Sequence, residues 1–323
     1  MLLESQEDVF NAIEHAKFII ADQNVLNLYP QIAFLCNQKS TYSISEPEAQ
    51  KSLCDYEKII KFFLDKNITR VDEILAIGGG ATTDLAGFVA ATILRGVEWS
   101  VVPTTLLAMI DASIGGKVGI NTDEGKNLIG SFHLPIKTYL NQNFLATLPS
   151  HEFDSGMGEL VKYTFLNLEI RDAILADGFN QKIVLSCYAH KMSIVENDLQ
   201  EKGNRKSLNL GHSFGHAIEK ATNLSHGICV LIGIEIILNL YAPEFLEDLK
   251  VIVEKLGINK SEDMKVDLRL FKRFFEQDKK RILNNEIELI IPTKVGQVTV
   301  KPIKFQAIYK KMETNEFCTN FFK

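Results

Sequence analysis

Cysteine is scarce in this chain and never clustered. The five, Cys36, Cys54, Cys187, Cys229 and Cys318, are scattered, odd in number and form no C-x-x-C pair. That argues against a thiolate zinc cage and against a disulfide framework. There is no excess of positive charge either. The 35 Lys and Arg stand against 41 Asp and Glu, a formal net charge of −6. Nucleic-acid binding as the main role is not expected, and an anionic substrate needs a local basic pocket against the global field. Long uncharged apolar runs are missing. The longest stretch, around Cys229 to Ala242, is broken by Glu235 and falls short of the ~18 apolar residues of a membrane span. The N-terminus carries Glu4, Glu7 and Asp8 without a basic start and apolar core, so no signal peptide is expected. No internal repeat or low-complexity segment is visible. The expected setting is a reducing cytoplasm, with neither membrane nor nucleic acid as partner.

What is present suits a two-domain globular enzyme. The 323 residues allow two cores, and 46% hydrophobic with 24% charged residues is ordinary for a soluble protein. The first half alternates short apolar runs with helical patterns. Ala16 to Ala21, Gln31 to Cys36, Glu73 to Ile77 and Trp99 to Val102 read as strands. Pro47 opens a helical pattern to about Asp65, and another runs from about Thr82 to Leu94. This rhythm predicts a Rossmann-like α/β domain with a parallel sheet, which binds ligands beyond the carboxyl ends of its strands. From about Pro149 long helical patterns dominate: His151 to Leu166, Gln181 to Gln200, Leu208 to Ala221, Ile228 to Leu240 and Pro243 to Leu256. Glu286 to Pro292 and Gln297 to Lys301 look like a late hairpin around Val295-Gly296. The expected division is therefore an α/β domain over 1–149 and a mainly helical domain over 150–323.

One run in the second half is chemically loaded: Leu208-Asn209-Leu210-Gly211-His212-Ser213-Phe214-Gly215-His216. If helical, it stacks His212 and His216 at i and i+4, with Asn209 and Arg205 on the same stripe. A bare H-x-x-x-H is more often a solvated polar face than a metal site. Here a third histidine follows in His226-Gly227, and Gly158-Glu159-Leu160-Val161-Lys162 lies upstream. Glu159, His212 and His226 would offer a zinc-like ion three ligands and leave a position open for substrate, as catalytic sites do.

Two glycine-rich segments suit anions. Gly78-Gly79-Gly80-Ala81-Thr82-Thr83-Asp84 sits between a strand and a helix, where backbone N–H groups and the helix N-terminus favour a pyrophosphate. It is not G-x-G-x-x-G, and a tight structural turn reads about as well. Asp111 to Asn121 contains Gly115-Gly116-Lys117 but is not a Walker A loop, since valine follows Lys117. Gly125-Lys126-Asn127 comes soon after. Lysines and glycines this dense suit an anion; the bland reading is a solvated surface loop, against which Ile114, Val118 and Ile120 argue.

Taken in order, these motifs resemble the 3-dehydroquinate synthase family of sugar-phosphate cyclases. The string is Gly78 to Phe88, Leu94-Arg95-Gly96, Val102 to Ala108, Asp111 to Asn121, Gly125 to Gly130, Thr147-Leu148-Pro149, Gly158 to Lys162, Leu208 to His216, His226-Gly227 and Asp278-Lys279-Lys280. The resemblance runs from about Asp22 to Gly296. It implies an NAD-dependent, metal-dependent homodimer, with zinc or cobalt as the divalent ion. It implies metal ligands Glu159, His212 and His226. NAD contacts are implied for Asp22, Asn24, Glu46, Glu48, Lys51, Gly79, Gly80, Ala81, Thr82, Thr83, Asp84, Thr104, Thr105, Lys117, Lys126, Phe144, Leu145, Ala146 and Thr147. Substrate phosphate is implied at Lys117, Asn127, Lys162, Asn209 and His216, with Arg95 reaching in from a partner subunit. The substrate carboxylate is implied at Lys191 and Arg205. Asp111 and Glu201 are implied near the reacting hydroxyls, and Lys279 or Lys280 near the substrate. Catalytic roles thus fall on Lys117, Asn127, Lys162, His216, Asp111 and Glu201.

The reaction implied is conversion of a phosphorylated sugar acid, 3-deoxy-D-arabino-heptulosonate 7-phosphate, to 3-dehydroquinate. It proceeds by oxidation, phosphate elimination, reduction and aldol closure, a step of the shikimate pathway. Another sugar-phosphate cyclase, an iron-type NAD-dependent polyol dehydrogenase and an inactive binding relative are the alternatives. The family usually has glutamate after the His-Gly pair, where this chain has Ile228.

Overall fold

The computed structural model describes residues 1–258, 264–277 and 285–323. It divides into two compact units, Met1–Pro149 and Ser150–Lys323. The first is built on a six-stranded, wholly parallel sheet. Its strands are β1 (Leu2–Leu3), β2 (Phe18–Asp22), β3 (Ser40–Ile44), β4 (Glu73–Gly78), β5 (Glu98–Pro103) and, after a separate hairpin, β8 (Lys137–Tyr139). Their order is β1-β8-β5-β4-β2-β3. The hairpin pairs β6 (Lys117–Thr122) with β7 (Gly125–Phe132). Central strands are apolar on both faces, as a sheet covered by helices requires. Phe18, Ile20, Ile74, Ala76 and Val101 share one core with Trp99, Val118, Ile120 and the inward side of the Gly80–Thr92 helix.

Three expectations for this unit need correction. Gln31–Cys36 is not a strand but the body of a helix, Pro30–Cys36, with Pro30 at its first turn. A five-residue apolar run does not distinguish the two states by itself, and the proline, which suits a first helical turn, decides it. The Pro47–Asp65 pattern is two helices, Pro47–Gln50 and Leu53–Asp65. Ser52 caps the second by accepting from the Asp55 N–H at 3.1 Å. The break turns Lys51 inward, and its carbonyl accepts from the Asn121 N–H at 2.7 Å. The Gly80–Thr92 helix ends sooner than expected, in a tight turn where Leu94, Arg95 and Gly96 have φ of 52°, 70° and 112°.

The second unit is mainly helical. Its axis is His226–Tyr241, a helix apolar nearly all round and therefore buried. Ser150–Leu166 and His212–Ala221 pack against it. Both crossings depend on glycine. A Cβ on Gly227 would lie 1.7 Å from the Ser155 carbonyl oxygen, and one on Gly158 would lie 2.3 Å from that of Gly227. The backbones touch there, so Glu159 and His226, each next in sequence to one of these glycines, become neighbours. Gly211, at φ 82°, starts the His212–Ala221 helix while its own backbone lies against Gly233. This corrects the expected Leu208–Ala221 helix: a 3₁₀ turn, Asn204–Asn209, precedes Gly211. His212 and His216 share a helix face, but Arg205 and Asn209 belong to the turn before it. A hairpin of β9 (Glu286–Lys294) and β10 (Gln297–Lys304) follows, and after it come two helices, Phe305–Thr314 and Glu316–Phe321. Among the described residues no helix is long and apolar enough to cross a membrane.

Candidate active site

In the sheet unit the candidate nucleotide residues follow the carboxyl ends of five parallel strands, where ligands bind in such sheets. Asp22 ends β2 and caps the next helix by accepting from the Asn24 N–H at 2.8 Å. Burial pushes its carboxyl above the ordinary value, against the lowering effect of that N–H. Glu46 follows β3. Gly79 follows β4 and serves as N-cap of the helix starting at Gly80. Thr104 follows β5, and its N–H donates to the Gly78 carbonyl at 3.0 Å, which holds the two loops side by side. Thr105 Oγ1 accepts from the Ala108 N–H at 3.2 Å. Thr82 and Thr83 are buried; Thr83 Oγ1 donates to the Gly80 carbonyl, and Thr82 Oγ1 has no partner among the described residues. Phe144, Leu145, Ala146 and Thr147 lie in a 3₁₀ stretch after β8. Tyr29, which the sequence reading passed over, meets this stretch. Its ring packs edge-on against Phe144 and its hydroxyl lies 2.7 Å from Thr147 Oγ1. Tyr29, Phe144 and Asn141 help line a cavity of about 130 Å³.

A polar cluster forms around Lys51. This buried ammonium donates to Asp84 Oδ2 and to Asn127 Oδ1. Asn127, at φ 57°, also donates its N–H to Asn121 Oδ1 at 3.0 Å. Asn121 in turn donates to Glu48 Oε1 at 2.9 Å, and Lys126 lies 3.6 Å from the same oxygen. Asn127 thus sits among the nucleotide candidates Glu48, Lys51, Asp84 and Lys126, although the sequence reading grouped it with phosphate. Asn121 was not singled out. Lys117 is exposed at the start of β6 while Ile114, Val118 and Ile120 around it are buried. Asp111 is half-buried in the Ala108–Ala112 turn.

The helical unit holds the second group. Glu159 and Lys162, one turn apart on Ser150–Leu166, form an ion pair while 0% and 1% exposed. A charge this deep is tolerated only when paired or bound. Glu159 Oε1 faces the Lys162 ammonium, and Oε2 has no hydrogen-bond partner among the described residues. His212 Nε2 lies 3.7 Å from Glu159 Oε1. His212, His216 and His226 gather with ring centroids 5.3 to 5.6 Å apart, and one ligand atom from each lies within 4.8 Å of the others. His216, assigned from sequence to phosphate, therefore stands in the imidazole cluster itself. Two rings turn Nδ1 outward: His212 toward the Leu210 carbonyl at 3.2 Å, His226 toward Glu219 Oε2 at 2.9 Å. An Nδ1–H so held leaves the Nε2 lone pair for a ligand, which is how metal-binding histidines are usually oriented. Buried carboxylate oxygen plus imidazole nitrogens is a donor set that fits zinc or cobalt.

Lys191 and Arg205 are buried, the latter donating to the Leu199 carbonyl at 2.7 Å. Glu201, at φ 58°, accepts from the Asn209 side-chain amide. Arg95 is exposed on its left-handed turn. Lys279 and Lys280 lie outside the described residues.

The 3-dehydroquinate synthase N-terminal family model matches residues 41–155 and the C-terminal model residues 156–281. The chain belongs to the 3-dehydroquinate synthase family. A 3-dehydroquinate synthase of Thermococcus kodakarensis is 34% identical over 315 residues, covering 88% of each chain. One from Staphylococcus epidermidis is 43% identical over 235 residues, covering 68% of this chain and 66% of its own length. In fold, the chain matches a 2-deoxy-scyllo-inosose synthase crystallised with carbaglucose-6-phosphate, NAD+ and Co2+. The TM-score is 0.84 at 22% identity, covering 97% of this chain and 96% of that one.

One group near these residues titrates unusually. His190 packs edge-on against Tyr163, and the Asn167 amide faces its Nδ1 at 3.1 Å. Burial first, and the Lys162 cation second, hold its pKa below the ordinary imidazole value. The unfolded chain therefore takes up a proton that the folded one resists, and stability falls as pH drops below about 6.5. Replacing His190 by Gln is expected to flatten the fall in urea midpoint between pH 7.5 and 5.5. Parallel wild-type and variant slopes would count against the burial argument.

Proposed function

We propose that this family member is a divalent-metal- and NAD-dependent 3-dehydroquinate synthase. It converts 3-deoxy-D-arabino-heptulosonate 7-phosphate to 3-dehydroquinate with release of phosphate. The observation that carries the reading is the gathering of His212, His216 and His226 beside the buried Glu159–Lys162 pair. Glu159, His212 and His226 would hold the metal, a Lewis acid that acidifies a coordinated hydroxyl. The residues after β2, β3, β4, β5 and β8 would hold NAD, whose chemistry there would be reversible storage of one hydride, removed from the substrate and later returned to it.

The remaining work falls to the protein's own groups. Lys162 keeps a positive charge in a water-poor setting, where it stabilises negative charge developing on a substrate oxygen far more than it would in bulk water. His216 stands close enough to the ligand histidines to carry a proton to or from the departing phosphate. Lys191 and Arg205 are cations suited to a carboxylate, which they would hold by charge-assisted hydrogen bonds. Glu201 and Asn209, already bonded to each other, would orient hydroxyls. Lys117 and Arg95 would meet the phosphate.

The test follows phosphate and reduced-cofactor absorbance together, with NAD far below substrate concentration. Phosphate is expected to appear in step with 3-dehydroquinate while no NADH accumulates, because the hydride returns before product leaves. One NADH formed per substrate consumed, with no phosphate, would make the protein a dehydrogenase and end the cyclase reading.

A further inference from the structure

We infer that Glu219 is a positioning residue that sets His226 for metal binding. The inference rests on the metal reading above and concerns how one ligand is held. The His226–Tyr241 helix gives that ring no carboxylate of its own. Ile228 is apolar and buried, and the first acidic residue on the helix is Glu235, well over two turns away. The carboxylate comes from the neighbouring helix. Glu219 lies three residues beyond His216 and seven beyond His212, so all three share one face of His212–Ala221. From there its Oε2 meets His226 Nδ1 at 2.9 Å, with both side chains partly buried.

The arrangement has three chemical consequences. Nδ1 keeps its proton, so the lone pair is on Nε2. The ring cannot rotate without losing a charge-assisted hydrogen bond. Partial negative charge is passed to the imidazole and strengthens it as a donor. His212 is held differently, by the neutral Leu210 carbonyl. The same helix presents two imidazoles and the carboxylate that aligns the third. Ligand and support geometry are thereby coupled through one rigid element.

The test measures Co2+ affinity by competition with a coloured chelator, and the visible ligand-field spectrum, on the full chain and its Glu219→Ala and Glu219→Gln variants. Melting of each metal-free protein reports the fold. Glu219→Ala is expected to bind Co2+ about 10–100-fold more weakly and with an altered spectrum. Glu219→Gln, which still offers an oxygen to Nδ1–H, is expected to recover part of the loss. Should the alanine variant fold poorly, the isosteric glutamine variant carries the comparison through its reduced affinity. Wild-type affinity and spectrum in both variants would overturn the inference. Absence of Co2+ binding in the wild-type protein would instead remove the metal reading on which it rests.

Discussion

Dialysis against a strong chelator is expected to abolish phosphate release while leaving the helical signal and cooperative melting of the protein in place. Zinc or cobalt is then expected to restore turnover. The argument for separating activity from fold lies in how the helical unit is held. His226–Tyr241 buries Cys229, Val230, Leu231, Ile234, Ile236, Ile237 and Leu238 among its neighbours. Its crossings with Ser150–Leu166 and His212–Ala221 are backbone contacts at Gly158, Gly227, Gly211 and Gly233. Apolar burial on that scale does not need an ion, unlike small domains in which metal binding is the folding energy. Bound metal should still raise the melting temperature by mass action. Without it, the imidazole cluster and the unpartnered Glu159 oxygen lose the Lewis acid that would acidify the substrate hydroxyl. His212→Ala is expected to reduce kcat/KM by about 10³-fold or more, the equivalent of several kcal/mol of transition-state stabilisation. Full activity in rigorously metal-free protein would refute the assignment of Glu159, His212 and His226.

The same helices show what the sequence could and could not disclose. The His212–His216 spacing was readable because both residues lie beyond Gly211 on one helix, where the 3.6-residue repeat applies. Extending that repeat back to Asn209 and Arg205 failed at Gly211, whose left-handed φ ends one element and begins another. Strands β2, β4 and β5 were legible as continuous apolar runs, the mark of a parallel sheet covered on both faces. Gln31–Cys36 carried a similarly short run, and the signal against a strand was Pro30, a residue outside it. The pairing of Lys51 with Asn127 joins the first turn after a short helix to a distant hairpin. No local pattern encodes such a contact, and the family resemblance had implied only a phosphate contact for Asn127. Glu219 had a partial signal, since its spacing from His212 and His216 places it on their face. Only the packing of the next helix gives that face a third histidine to support.

Arg95 is expected to act on the partner subunit's substrate in a homodimer. Leu94, Arg95 and Gly96 all have left-handed φ, a conformation that costs energy for the first two and is typically retained where it serves a site. It displays an exposed guanidinium at the end of the Gly80–Thr92 helix, and a guanidinium is well matched to the oxygens of a phosphate. Arg95→Ala alone is expected to lower kcat/KM about 10–100-fold, the range for losing a hydrogen bond to a charged group. The decisive experiment mixes this variant with His212→Ala and lets subunits exchange. In a heterodimer, the Arg95→Ala chain keeps its own metal ligands and receives Arg95 from the His212→Ala chain, so one of its two sites is complete. The other lacks both groups. Random exchange of equal amounts makes half the dimers mixed, so activity should rise to about a quarter of the wild-type value in a closed two-fold dimer. If Arg95 served its own chain, every site in the mixture would lack either the arginine or the metal ligand. Mixing would then restore nothing. Heterodimers isolated by two different affinity tags, and showing no more activity than their parents, would therefore place Arg95 in its own subunit's site or in none.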